Sequence, residues 1–70
     1  MYKNLERAMR EHCINRTALA AILGVDIKTI TNRMAGIYDW TLSEVMKITE
    51  LFPEYTQNWL FERTEKAAAV

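Results

Sequence analysis

The 70-residue sequence has little of what breaks or cross-links a chain: one cysteine, one proline and two glycines. A single cysteine, Cys13, excludes an internal disulfide and favours a reducing environment. So few turn-forming residues disfavour a β-sandwich and suit an all-helical fold. No apolar run approaches the roughly 20 residues of a membrane span, and the first ten residues lack the apolar stretch of a signal peptide. We therefore expect one small cytoplasmic domain that is not associated with a membrane.

Positive and negative side chains are equal in number, but they are unevenly distributed along the chain. The formal net charge is zero. Six lysines and arginines accompany three acidic residues in 1–36, whereas three accompany six in 37–70. This asymmetry indicates a basic working face and an acidic far side, although so few charges could also be distributed this way by chance.

Apolar spacing and capping residues predict five helices joined by short linkers. Asn4 is the expected N-cap of the first helix. Its core stripe is Leu5, Ala8, Met9 and His12. Asn15 is the expected N-cap of the second helix, and Gly24 ends it because glycine takes positive φ without steric cost. The buried face of that helix is expected to be Leu19, Ile22 and Leu23.

The remaining three helices are predicted from the same signals. Asp26 caps the third helix and Gly36 ends it, with Ile30 and Met34 on its buried face. The fourth starts at Thr41, in the capping-box pattern "TLSE", and stops at Pro53. Its expected apolar face is Leu42, Val45, Met46, Thr49 and Phe52. Thr56 caps the fifth, "TQNWLFER". We expect one domain over residues 1–66 and a flexible tail over 67–70.

The segment around Gly24 has the spacing of a helix-turn-helix. Ala20 is small enough for two helices to approach closely, and Gly24 permits a tight turn. Val25 and Ile30 supply the apolar contacts that fix the next helix across the first. In a helix-turn-helix the second helix can enter the major groove of DNA.

The stretch "LAAILGVDIKTITNRMAG" resembles the Cro- and repressor-type (XRE-like) helix-turn-helix of phage and bacterial regulators. The matching positions are Leu19, Ala20, Leu23, Gly24, Val25, Asp26, Thr29, Ile30, Thr31 and Gly36. "TLSEVMKITELF" and "NWLF" are similar to the family's fourth and fifth helices. The resemblance implies an all-α, five-helix, lambda-repressor-like DNA-binding domain with its helix-turn-helix at 16–36.

The resemblance also implies which residues meet DNA. Arg16 stands at the start of helix 2, and Ile27, Lys28 and Asn32 stand on the recognition helix, 27–35. Asparagine can pair with adenine and lysine with guanine, whereas Ile27 could only pack on a thymine methyl or a neighbouring subunit.

Three further side chains suit phosphate: Thr17, Thr31 and Arg33. The amide groups that open helices 2 and 4 could also hold phosphates. The alternative is that Lys28, Asn32 and Arg33 form an ordinary solvated face and that Arg16 makes a surface ion pair of little energetic value.

Three positions depart from the family pattern. The loop "IYDWT" carries Asp39 and no Lys or Arg, which predicts weaker DNA binding and a shallower salt dependence. Met9 and Met34 stand where many relatives hold a buried Arg–Glu pair, and such a pair is often replaceable by packed apolar groups. Cys13 stands where relatives often have glycine, so some backbone strain is expected there.

The sequence gives no support for an enzyme, a metal site or a cofactor. His12 and Cys13 are adjacent, and their side chains point in different directions, so they do not form a nucleophile pair. Two potential ligands are too few for a closed zinc site. The aromatic residues are expected in the core rather than around a small molecule. They are Trp40, Phe52, Tyr55, Trp59 and Phe61.

Two functions remain open at this point. The first is a sequence-specific transcriptional regulator of Cro or repressor type, from a phage or prophage setting, that binds palindromic operator DNA. It would act as a homodimer through Trp59, Leu60 and Phe61 of the fifth helix. In the other arrangement, Trp59 and Leu60 simply close the core and the chain dimerises only on DNA. The alternative is a protein-binding accessory module, such as an antirepressor, on a helix-turn-helix fold that no longer binds DNA.

Overall fold

The structure is a computed structural model that describes residues 1–63, and over that range it confirms the all-α fold of five helices. The helices are α1 (Lys3–Glu11), α2 (Arg16–Leu23), α3 (Ile27–Met34), α4 (Leu42–Leu51) and α5 (Gln57–Leu60). None of them is long and apolar enough to cross a membrane. The predicted domain boundary at residue 66 and the predicted tail, 67–70, lie outside the described residues.

One apolar core receives side chains from all five helices. Its buried members are Tyr2, Leu5, Ala8, Met9, Leu19, Ala20, Leu23, Ile30, Met34, Ile48, Phe52 and Leu60. Each large apolar side chain buried here contributes about 1.5–3 kcal/mol to folding. The predicted core positions of α1 and α3 are confirmed, except that His12 is exposed and makes a T-shaped ring contact with Phe52, with centroids 4.9 Å apart. Met9 and Met34 are both buried, as replacements for a buried ion pair would be.

Two of the predicted apolar faces are wrong in part. Ile22, expected in the core, is 47 % exposed, and the space beneath α2 is filled by Leu19, Ala20 and Leu23. On α4 the expected residues Leu42 and Met46 are 74 % and 55 % exposed. The helix instead turns Glu44, Ile48 and Phe52 inward. The helix therefore has apolar residues on two faces, and the face that packs on the core is the one that contains the buried Glu44.

The helix starts follow the predicted caps with two differences. The side chains of Asn15 and Thr56 accept the expected backbone amides, and Thr41 forms a complete capping box with Glu44. Asp26 occupies the N-cap of α3, but its side chain makes no capping hydrogen bond. Asn4 is not a cap, because α1 starts one residue earlier, and its amide donates instead to the carbonyl of Trp59 on α5 (3.0 Å).

The first three helices end in the same backbone motif. At the end of α2 the amide of Val25 donates to Ala20 (3.0 Å) and that of Gly24 to Ala21 (3.3 Å), which is a Schellman motif with Gly24 left-handed at φ 73°. The same pair of hydrogen bonds surrounds Gly36 (φ 82°) and Cys13 (φ 58°). The strain expected at Cys13 is therefore present as a positive φ at a residue with a Cβ.

Aromatic side chains hold α5 against the body of the domain. Phe61 makes edge-to-face contacts with both Tyr2 and Trp40, and Trp59 stacks on Tyr55 with ring centroids 4.0 Å apart. Leu60 is fully buried. The prediction that the aromatic residues belong to the core is confirmed. The same contacts bury Leu60 and partly cover Trp59 and Phe61, the residues from which a dimer through α5 was predicted.

Candidate nucleic-acid interface

The helix pair α2–α3 positions the candidate interface. These two helices make the most extensive helix–helix contact in the described part of the chain. Ala20 (5 % exposed) and Ile30 (0 % exposed) are buried at the contact, and Val25 in the turn packs against the core. With one side fixed in this way, α3 can present only its opposite side to a partner.

The outer side of α3 carries four of the seven residues that the sequence assigned to DNA. Ile27, Lys28 and Thr31 are exposed and Asn32 is half-buried. Helical periodicity places all four on one face, together with the exposed Ala35. The short side chains of Thr31 and Ala35 lie between the longer ones, so the helix backbone can approach a flat or grooved surface closely.

The first turn of α2 adds Arg16 and Thr17, both exposed. Their backbone amides lie in the first turn of a helix, where amides have no intrahelical acceptor. The cap Asn15 accepts the amide of Ala18 (2.8 Å) and leaves these two free to meet an anion. Lys28, Asn32 and Arg16 make no side-chain hydrogen bond or ion pair with residues 1–63.

Arg33 is placed differently from the expectation that it meets phosphate. Its Nε donates to Oε1 of Glu44 (2.9 Å) and its Nη2 lies 3.4 Å from Oε2, so the guanidinium holds the carboxylate with two nitrogens. The side chains of Arg33 and Glu44 are only 17 % and 9 % exposed. The ion pair ties α3 to α4 and engages two of the three guanidinium nitrogens within the fold. The charge of Arg33 therefore serves the fold.

Glu44 belongs at once to this ion pair and to the start of α4. Burial alone would raise the pKa of Glu44, but the Arg33 guanidinium and the Thr41 amide outweigh burial and hold it below its usual value. The capping box places the carboxylate over the Thr41 amide (3.0 Å). The opening of α4, expected to hold a phosphate, thus already carries an anion.

Two features of this region are absent from the sequence expectations. The first is the Arg33–Glu44 pair, for which an arginine and a glutamate eleven residues apart gave no local signal. The second is Asp26, whose exposed carboxylate stands at the N-terminal edge of the α3 face without a capping bond. A free carboxylate there would repel phosphate, whereas it could accept from the exocyclic amine of cytosine.

The described residues contain no group of three histidine, cysteine or acidic side chains that could hold a metal ion. His12 lies against the carboxylate of Glu54, and Cys13 is exposed.

Fold and surface together define a small five-helix domain whose third helix is fixed on one side and open on the other. The model of the BetR domain family matches residues 2–70, and the chain belongs to that family. The match identifies a small regulatory helical domain. Neither a curated protein nor a solved structure matches the chain. The finer assignment to the Cro and repressor type stays a prediction.

Proposed function

We propose that the chain is a DNA-binding transcriptional regulator that reads duplex DNA with the outer face of α3. One observation carries the proposal. Lys28 and Asn32 lie one turn apart on a helix whose other face is buried in the core, and the side chain of neither makes a hydrogen bond or ion pair with residues 1–63. Side chains of these two types make the commonest specific contacts in the major groove.

The chemistry of the face supports base recognition more than strong electrostatic binding. The amide of Asn32 can pair with adenine through two hydrogen bonds, and the ammonium of Lys28 can donate to guanine O6 or N7. Ile27, 49 % exposed, fits a thymine methyl group. Thr31 can donate its hydroxyl to a phosphate at the edge of the groove.

Phosphate contacts come mainly from the first turn of α2. Arg16 contributes a guanidinium, and Arg16 and Thr17 contribute backbone amides at a helix N-terminus. With Arg33 engaged by Glu44 and Lys28 assigned to a base, Arg16 is the cation that the described part of this surface offers to phosphate. Each neutralised phosphate contributes about −0.9 to the slope of log K against log salt, so one copy should show a slope of about −1.

The proposal in its finer form is a Cro- or repressor-like regulator of operator DNA that acts in the cytoplasm without catalysis or a small-molecule ligand. The resemblance over 19–36 and the helix-turn-helix geometry of α2 and α3 support it. A selection from random duplexes tests it, with the double variant Lys28→Ala/Asn32→Ala beside the wild type. Arg7→Ala is the matched control, because Arg7 is exposed on α1 and pairs only with its neighbour Glu11 on the surface.

The wild type and Arg7→Ala should enrich one common sequence, and the double variant should lose it. Each lost base contact should lower specific affinity by about 1–3 kcal/mol. If the wild type enriches no sequence, or if the double variant enriches the same sequence as strongly, the α3 face does not read bases.

A second candidate function is a protein-binding accessory module without DNA binding. The observation that favours it is the loop 37–41, which carries Asp39 and no cation, in a chain of zero net charge. Salt separates the two functions. DNA binding should weaken as salt rises, whereas an apolar protein contact should not.

A further inference from the structure

A cavity of about 560 Å³ opens on the surface beside the junction of α1 and α2. Its lining comes from the second half of α1, the link 13–15, the first residue of α2 and the last residue of α3. We call it the α1–α2 cavity. Its volume lies within the range of about 300–1,000 Å³ that small-molecule sites have.

The buried part of the lining is apolar. Met9 and Met34 line the cavity and are only 5 % and 2 % exposed, and the half-buried Ile14 lines it as well. Methionine is flexible and polarisable, and its sulfur makes favourable contacts with aromatic rings. This part of the cavity therefore suits a flat aromatic body.

The exposed part of the lining is cationic. Arg10 of α1 and Arg16 of α2 both line the cavity, and the side chain of neither makes a hydrogen bond or ion pair with residues 1–63. The described lining contains one acidic residue, Glu6. A guanidinium can hold a carboxylate through two parallel hydrogen bonds. Two arginines against one glutamate therefore favour an anion over a neutral molecule or a cation.

We propose that the α1–α2 cavity binds a small aromatic carboxylate. The ring would pack on Met9 and Met34, and the carboxylate would be held by Arg10 and Arg16. At the binding efficiency typical of drug-sized ligands, a molecule of about a dozen non-hydrogen atoms has a Kd of about 1 mM. The site goes beyond the proposed DNA binding and does not depend on it.

A ligand in this cavity would have a defined effect if the proposed DNA binding also holds. Arg16 is the cation assigned to phosphate, so a carboxylate held by Arg16 would compete with the DNA backbone. DNA binding itself needs no small molecule, and the ligand would weaken it. Acetate at the same concentration adds the same salt without the ring and should weaken it less.

A titration of the full chain with 2-naphthoate, without DNA and followed by amide chemical shifts, tests the site. Shifts at 9–16 and at Met34 should change and saturate with a Kd of about 1 mM. The neutral analogue 2-naphthol has the same rings and should bind about five- to tenfold more weakly, because it lacks the charge that the arginines hold. Acetate has the charge without the rings and should cause no saturable change.

Variants of the charged residues test the assigned contacts. Arg10→Gln/Arg16→Gln should weaken 2-naphthoate about five- to tenfold and leave 2-naphthol unchanged. Glu6→Gln should tighten 2-naphthoate about two- to threefold, since it removes a like charge from the lining. Arg7→Ala is the matched control, because Arg7 lies on the same helix but pairs with Glu11, and it should bind as the wild type does.

Cys13 supplies a second, independent readout. It is the single cysteine of the chain, it is exposed, and it lines the cavity. Saturating 2-naphthoate should slow its alkylation by iodoacetamide several-fold, whereas acetate should not.

Three results would overturn the proposal. They are the absence of saturable shifts at ten times the expected Kd, an unchanged rate of Cys13 alkylation, and equal affinity for 2-naphthol and 2-naphthoate. Since these measurements contain no DNA, none of them bears on the proposed DNA binding.

Discussion

Replacing Cys13 with glycine should stabilise the domain. Cys13 occupies the left-handed position of the Schellman motif that ends α1, at φ 58°. Its amide donates to the carbonyl of Arg10 (3.1 Å), and the amide of Ile14 donates to Met9 (2.8 Å). The helices α2 and α3 place glycine at the equivalent positions. Since the Cys13 side chain is exposed, its removal costs no core packing.

The expected gain follows from two opposing terms. Left-handed backbone costs an L-residue with a Cβ about 1–2 kcal/mol. Glycine has more freedom in the unfolded chain, which costs about 0.4–1 kcal/mol. The free energy of unfolding should therefore rise by about 0.5–1 kcal/mol. For a domain of this size, that corresponds to an increase in Tm of about 2–8 °C.

Urea unfolding followed by circular dichroism measures this difference. The midpoint should rise at an unchanged m-value, because the surface exposed on unfolding is the same. Cys13→Ala should behave as the wild type, since alanine keeps the Cβ and the strain while removing the thiol. Gly24→Ala is the converse control. A Cβ at Gly24 meets no atom within 4 Å, so its expected loss of about 1 kcal/mol reports backbone strain alone.

The reasoning fails if Cys13→Gly is no more stable than the wild type. It also fails if Cys13→Ala is stabilised as much as Cys13→Gly, because the thiol rather than the backbone would then be the cause. A Gly24→Ala variant as stable as the wild type would show that left-handed φ carries no measurable cost in this fold.

Three further changes have defined outcomes. Glu44→Ala should lower the free energy of unfolding by about 2–4 kcal/mol, because it leaves the Arg33 guanidinium largely buried without its partner and removes half of the capping box. A loss below about 1 kcal/mol in urea unfolding would show that the ion pair is solvated. The pKa of Glu44 is held below its usual 4.5, so the stability from this group is complete above about pH 4.5 and is lost as the pH falls through the folded pKa. Unfolding measured against pH should accordingly lose stability less steeply in acid for Glu44→Gln, and identical acid slopes would contradict the shift. Leu60→Ala should cost about 2–5 kcal/mol in thermal unfolding, as a fully buried leucine does, and a near-neutral result would place Leu60 at a surface instead.

Local chemistry predicted the ends of the helices well. Asn15, Thr41 and Thr56 cap the helices that follow them because a side-chain oxygen beside a helix start needs no distant partner. Gly24 and Gly36 end theirs because glycine alone takes a left-handed backbone without strain. Even the strain at Cys13 could be expected, since the sequence resembles a family that often has glycine there.

The tertiary contacts of charged residues could not be predicted in the same way. Arg33 is on α3, the helix predicted to meet DNA, and a cation on such a helix suggests a phosphate contact. Its partner Glu44 is eleven residues further along the chain, and only the tertiary fold brings the two side chains together. The burial of Glu44 also explains why the buried face of α4 was predicted wrongly. A glutamate lies among the residues that face the core, so the face with Leu42 and Met46 was the more apolar of the two. Both of those residues are exposed instead.

The length of α5 was overestimated for a related reason. The pattern "TQNWLFER" suits a longer helix, but the described helix has four residues and ends at Leu60. Phe61 leaves the helix to pack between Tyr2 and Trp40. Aromatic packing from the other end of the chain therefore overrides local propensity.

The most direct test of DNA binding through the surface of α2 and α3 is the salt dependence of affinity for duplex DNA, measured by fluorescence anisotropy for three proteins. The account predicts that log K for the wild type falls with log salt with a slope of about −1. Arg16→Ala, which removes the cation assigned to phosphate, should bring the slope close to zero. Arg7→Ala, which removes the same charge from α1, should run parallel to the wild type. A wild-type slope near zero, or Arg16→Ala parallel to the wild type, would contradict it.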